Sequence, residues 1–270
     1  MTLVQASIAN GGETIIIIAD RLLTRSFGED FPSYEFEGNS PKISSRGNLG
    51  VGFAGSALYA DMATSLLIPT IFDFDEIVDA ISDFVKDTRN ATVSDEIFRV
   101  AGISWDDFFS NSEIVPEEVR GYIYGWLMEF RLEFGCIVAG FDKDKKAKVM
   151  YITEEGSTIC ATNFGMGSIG SGSLFSQMYF DQYNYEVTMS EIESLLFAYK
   201  AKKWAEAPTG VGLKTDIILF RKDGTKVEIR NEDVLMDEIN KMYEKEKEEN
   251  YRIKDGLLKE LIKNSSGELR

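Results

Sequence analysis

The chain has 270 residues, 44% of them hydrophobic and 27% charged, with only five prolines, the composition of a folded globular protein with a sizeable single core. Its 29 basic and 45 acidic residues leave a formal charge of −16, which argues against a nucleic-acid partner, because that affinity comes mainly from basic side chains. It contains no histidine, which excludes Ser-His-Asp and Cys-His catalysis, histidine zinc sites and histidine acid–base work together.

From the N-terminus, Leu3 to Ala9 and Thr14 to Ala19 read as two apolar strands joined by the turn-forming Asn10-Gly11-Gly12. The run Ile15 to Ile18 suits a strand covered on both faces. Ser26 to Pro41 is polar and reads as a long loop. A second hairpin follows, from Lys42-Ile43-Ser44-Ser45 across Arg46-Gly47-Asn48 to Leu49 through Ala54, and Ser56 is placed to cap a helix over Ala57 to Leu67. Phe74, Ile77, Val78, Ile81, Phe84 and Val85 then fall on one helical face with aspartates opposite. Between Asp73 and Glu118 there are 13 acidic and three basic residues, read as a solvated acidic face. Val115-Pro116-Glu117-Glu118 starts another helix, expected to reach about Leu132, since proline suits the first helical position and the acids suit the dipole.

The second half opens with strands at Phe134 to Phe141 and Lys148 to Thr153 across the charged turn Asp142 to Lys146. A Gly- and Ser-rich stretch, Gly165 to Ser173, precedes a helix at Leu174 to Phe180. Thr188-Met189-Ser190-Glu191 has the form of a capping box for a helix reaching Trp204. Asp216 to Arg221 and Thr225 to Arg230 make a last hairpin over Lys222-Asp223-Gly224, and residues 233–263 read as a highly charged helical tail that packs on the body or on a partner. Strands grouped in pairs argue for antiparallel sheets with helices outside. Cys136 and Cys160 are far apart without a C-x-x-C spacing, so two buried free thiols are expected and no cysteine metal site. No apolar run approaches the ~20 residues of a membrane span and the N-terminus has no signal-type segment, so no membrane partner and a cytoplasmic location are expected.

Without histidine, a hydroxyl can still be activated by a free α-amine, whose ordinary pKa of about 7.7–8.0 lies near neutrality. Thr2 follows Met1, and threonine is small enough for methionine aminopeptidase to expose it. Asp20 lies on the return strand of the same hairpin, which brings its carboxylate beside the Thr2 hydroxyl. Lys42 opens the next hairpin, where a lysine paired with Asp20 would favour alkoxide character on Thr2. Gly55 ends a neighbouring strand, where its N–H suits an oxyanion. The bland alternatives are an Asp20 paired with Arg21 or Arg25, a surface Lys42 and a Gly55 that only permits a turn.

At these residues the chain resembles the β-type subunits of the proteasome, within the N-terminal-nucleophile hydrolases. The likeness runs through Thr2-Leu3-Val4, Ala19-Asp20-Arg21, Pro41-Lys42-Ile43 and Phe53-Ala54-Gly55-Ser56. It continues through Ile137 to Asp142, Ile169-Gly170-Ser171-Gly172-Ser173, Ala198 to Lys203, and Asp216 to Phe220 with Lys222-Asp223-Gly224, and so covers most of residues 2–230. The resemblance implies an α+β fold, a four-layer αββα sandwich spanning residues 2–230, with an acidic helical insertion at about 73–113 and a charged tail over 231–270. It implies a threonine-type peptidase in which Thr2 attacks a peptide carbonyl, Asp20 and Lys42 support it, Gly55 donates to the oxyanion and Ser171 assists the terminal amine, with no cofactor. Peptide or protein substrates and a homo-oligomer follow by the same likeness. Water would resolve the acyl-enzyme, whereas an incoming amine would give transpeptidation, and some archaeal proteasome relatives resembling this start are ligases. The aspartate that tunes the amine in typical β subunits falls at Ala205 or Glu206, and the nearby serine at Pro208 or Thr209. The alternative function is a non-catalytic proteasome-like assembly or regulatory protein that keeps Met1.

Overall fold

The computed structural model describes residues 2–25, 34–38, 41–66, 73–110, 115–207 and 210–267, and the chain divides into two compact units, Met1–Glu228 and Ile229–Arg270. Met1, Pro208 and Thr209 lie outside the described residues, as does most of the Ser26 to Pro41 stretch. The chain is α+β. In order, the first unit has β1 (Val4–Ala9), β2 (Thr14–Asp20), β3 (Leu22–Arg25), β4 (Tyr34–Glu37), β5 (Ile43–Arg46) and β6 (Leu49–Gly55). Five helices follow: α1 (Ala57–Leu66), α2 (Phe74–Val93), α3 (Arg99–Ala101), α4 (Trp105–Ser110) and α5 (Glu117–Glu129). Then come β7 (Phe134–Phe141), β8 (Ala147–Ile152), β9 (Thr158–Cys160), β10 (Met166–Ile169), α6 (Ser173–Gln182), α7 (Glu191–Ala205), β11 (Thr215–Arg221) and β12 (Lys226–Ile229). One sheet has the order β10-β1-β2-β11-β12, a second the order β5-β6-β7-β8-β9, and β3 and β4 form a separate two-stranded ribbon. The registered pairings are antiparallel.

The β1–β2 hairpin turns where positive φ is needed, at Asn10 (52°), Gly11 (64°) and Gly12 (93°). Its register sets Val4 opposite Ala19. Alternate β1 and β2 residues, Val4, Ala6, Ile8, Ile15, Ile17 and Ala19, share an apolar core with Ile137, Ala139, Phe141 and Val149 of the second sheet. The other face of β1 meets α7, to which Gln5 donates at the Ala198 carbonyl. This explains why Ile15 to Ile18 are all 0% exposed: both faces of β2 are covered. The far face of the second sheet packs Val51, Phe53, Phe134, Cys136 and Val138 on Phe74, Ile77, Val78, Ile81 and Val85 of α2. That is the helical face expected from the sequence, and Asp73 caps α2 by accepting from the Asp75 and Glu76 amides at 3.1 Å.

The acidic segment has a core of its own. A π-helical stretch, Ser94–Phe98, carries α2 into α3, and Val93, Ile97, Phe98, Phe108 and Ile123 are buried together, with the Phe98 ring edge-on to Trp105 and Phe108. α5 ends at Glu129, short of Leu132, because Phe130 turns to extended backbone. Three further expectations are corrected. Within the presumed loop Ser26 to Pro41, Tyr34–Glu37 is the strand β4, which pairs with β3 just before the loop. The capping box of α7 is Ser190 with Glu193, two residues beyond the reading that began at Thr188. Cys136 is buried, but Cys160 is exposed on β9, whose three residues all face solvent.

The second unit is dominated by α8 (Val234–Gly267), a single helix of 34 residues. Pairs such as Arg252 with Glu248 and Lys259 with Asp255 lie four residues apart on its surface, the spacing that supports exposed helices. Among the described residues no helix is long and apolar enough to cross a membrane.

Candidate active site

The hairpin brings the N-terminal residues to the end of β2. The Leu3 amide donates to Asp20 Oδ1 at 2.8 Å, and the Asp20 amide donates to the Leu3 carbonyl at 3.1 Å. Asp20 is 0% exposed, and its second oxygen accepts from the Leu22 amide at 3.0 Å and the Gly212 amide at 2.9 Å. These N–H donors, placed on both oxygens, hold the carboxylate in one orientation.

Lys42 immediately precedes β5, and its carbonyl accepts from the Phe53 amide at 3.1 Å, which fixes its backbone to β6. Its ammonium donates to Asp20 Oδ1 at 2.9 Å and to Thr2 Oγ1 at 2.8 Å. Burial pulls the Lys42 pKa below the ordinary lysine range, and the attraction of Asp20 opposes that shift without cancelling it. The result is a poorly hydrated cation aimed at a hydroxyl. It favours partial negative charge on that oxygen and titrates at lower pH than an exposed lysine.

On the opposite side, the Thr2 nitrogen lies 3.1 Å from Ser171 Oγ as donor to acceptor, and the Gly172 amide donates to the Thr2 carbonyl at 3.1 Å. Gly170, with φ 89°, passes so close that a Cβ there would collide with the Thr2 carbonyl. Gly170→Ala is therefore expected to displace Thr2, lowering stability by about 1–3 kcal/mol and any Thr2-dependent labelling about tenfold or more. Gly125→Ala is the control: that helical glycine has nothing within 4 Å of an added Cβ, and the change should stabilise by about 0.4–1 kcal/mol. Thermal denaturation of the two variants checks both signs.

Thr2, Asp20, Lys42 and Ser171 thus converge. Gly55 closes β6 with φ 98°, two residues beyond the Phe53 that anchors Lys42, and the Glu133 carbonyl occupies the space a Cβ would need. The Glu206 carboxylate bonds Lys202 and Lys203, and the contact to the Thr2 nitrogen comes from Ser171. Arg21 pairs with Asp216 rather than Asp20, at 2.5 and 2.7 Å, in a buried bidentate bridge between the end of β2 and β11. No family model matches the chain, and no curated protein matches it.

Sequence reasoning missed the Gly212 amide and the Glu37 carboxylate, which accepts from the Leu213 amide at 2.7 Å. Neither residue belongs to a motif. The only available signal was the Gly210-Val211-Gly212 spacing just ahead of a strand. Among the described residues no cluster of acidic or cysteine side chains is arranged to hold a metal ion.

Proposed function

We propose that the chain is an N-terminal-threonine hydrolase acting on peptide bonds through an acyl-enzyme. The observation that carries this reading is the Lys42 ammonium lying between Thr2 Oγ1 at 2.8 Å and Asp20 Oδ1 at 2.9 Å. Removal of Met1 would turn the Thr2 nitrogen into an α-amine within hydrogen-bonding distance of Ser171. The Thr2 hydroxyl then attacks the carbonyl carbon and its proton passes to that amine. The carbon–nitrogen bond of the substrate breaks, the leaving amine takes the proton, and an ester on Thr2 remains. Water hydrolyses the ester, or a second amine displaces it and a new peptide bond forms. Lys42 stabilises the developing charge on the threonine oxygen, Asp20 holds Lys42, and the Gly55 amide serves the oxyanion.

The proteasome-like four-layer αββα arrangement is part of the same proposal. Its support is the apolar core shared by the two five-stranded sheets, with α2 against one outer face and α7 against the other. Intact-mass measurement on protein purified from cells tests the function. The expected result is a chain lacking Met1 that gains one adduct on Thr2 from an electrophile selective for amino-terminal threonine. A chain that keeps Met1, or one labelled elsewhere, rejects the proposal and leaves the non-catalytic role.

A further inference from the structure

Behind the proposed site lies a buried ammonium to which the chemistry above gives no role. Lys202, on α7, has a side chain 0% exposed. Its Nζ donates to the Gly212 carbonyl at 2.6 Å, to the Leu213 carbonyl at 3.0 Å and to the Glu206 carboxylate, so all three ammonium protons are placed. The amides of the same two residues point the other way: Gly212 N–H to Asp20 Oδ2 at 2.9 Å and Leu213 N–H to Glu37 Oε1 at 2.7 Å. A two-residue segment is thus held by an ammonium on its carbonyls and by carboxylates on its amides. Each bond polarises the next, because the groups belong to one short run of peptide units in a site of low dielectric.

We propose that Lys202 is a positioning residue for Asp20. By gripping the Gly212 and Leu213 carbonyls it fixes the amide that orients the carboxylate on which Lys42, and through it Thr2, depends. This rests on the N-terminal-threonine reading. Burying an ammonium is expensive, and an apolar side chain of similar length would fill the same space without that cost, but it would leave two carbonyls ungripped. The segment is also pressed into place: a Cβ on Gly212 would lie 2.7 Å from Leu22 Cβ and 2.8 Å from Glu37 Oε1. If the segment drifts, Asp20 Oδ2 loses a donor, the carboxylate rotates, and Oδ1 moves off the Lys42 ammonium.

The test is the rate of Thr2 labelling by the threonine-selective electrophile, measured over a range of reagent concentration. The parent protein must label at Thr2; if it does not, the functional reading fails before Lys202 is questioned. Lys202→Met is expected to lower the limiting inactivation rate about 100-fold while leaving the half-saturating concentration unchanged, the signature of misplaced chemistry rather than lost binding. The Gly212 amide resonance should shift with it, which a defect elsewhere would not cause. Lys202→Arg, still able to grip both carbonyls, should recover at least about tenfold of that loss. Glu206→Gln keeps the ammonium but loosens its anchor, and should slow labelling about fivefold with a smaller shift of the same resonance. A Lys202→Met protein that labels at the parent rate overturns the inference. If that variant does not fold, Glu206→Gln decides: a parent-like rate with an unmoved Gly212 amide overturns it equally.

Discussion

Thr2→Ala is expected to abolish labelling by the threonine-selective electrophile, a loss of at least about 10⁴-fold, with the melting temperature essentially unchanged. The structure gives the reason to expect labelling and stability to separate here. The bonds that tether residue 2 to the Gly170–Gly172 turn use its backbone nitrogen and carbonyl, and they survive the substitution. The side chain contributes one contact, Oγ1 to Lys42, and Lys42 keeps Asp20 when that contact goes. Thr2→Ser retains both the hydroxyl and the potential α-amine, so it should label within about 100-fold of the parent. Intact mass after labelling, with thermal denaturation of the same samples, reads both effects. Full labelling of Thr2→Ala would place the nucleophile elsewhere.

What could be read from the sequence is what depends on local periodicity. The β1–β2 hairpin follows from a turn cluster between two apolar runs, and its near-symmetric arms bring Leu3 against Asp20. The α2 stripe follows from the spacing of its apolar residues. Elements whose pairing is supplied by distant chain were not legible. β10 is a four-residue strand within a stretch that reads as glycine and serine, and it is a strand because Val4 to Ser7 of β1 pair with it. The capping box was displaced by two residues because Thr188 and Ser190 both precede glutamates by three, and only the start of α7 distinguishes them. The acidic segment reads as a solvated face because its charges outnumber its aromatics, yet Phe98, Trp105, Phe108 and Phe109 pack on one another in a core of their own. In the site, Thr2, Asp20, Lys42 and Ser171, which the structure brings together, were singled out through a resemblance rather than through local periodicity. Lys202 was not, since composition cannot distinguish it from Lys200 and Lys203 in the same helix.

Lys42→Met and Asp20→Asn should slow acylation comparably, by about 10²–10³-fold each, because each breaks the single link that directs positive charge at Thr2 Oγ1. Their effects on the fold should differ. Removing the Lys42 ammonium leaves the Asp20 carboxylate with three backbone donors, from Leu3, Leu22 and Gly212. The residual cost is that of a buried charge that has lost its counter-charge but keeps three amide donors, about 3 kcal/mol. In Asp20→Asn the amide has one oxygen, able to satisfy two donors, and an NH₂ group that must face the other two. Either orientation sets donor against donor at 0% exposure: the two amides of Leu22 and Gly212, or the Leu3 amide together with the Lys42 ammonium. In either case the buried ammonium also loses its counter-charge, and the expected cost is about 3–5 kcal/mol. Because only Asp20→Asn also sets donor against donor, urea denaturation should rank it below Lys42→Met, while their labelling rates lie within about tenfold of one another. Equal stability of the two variants would mean that the four donors around Asp20 do not act as one constrained set, and fast labelling in either would remove the lysine–aspartate couple from the chemistry.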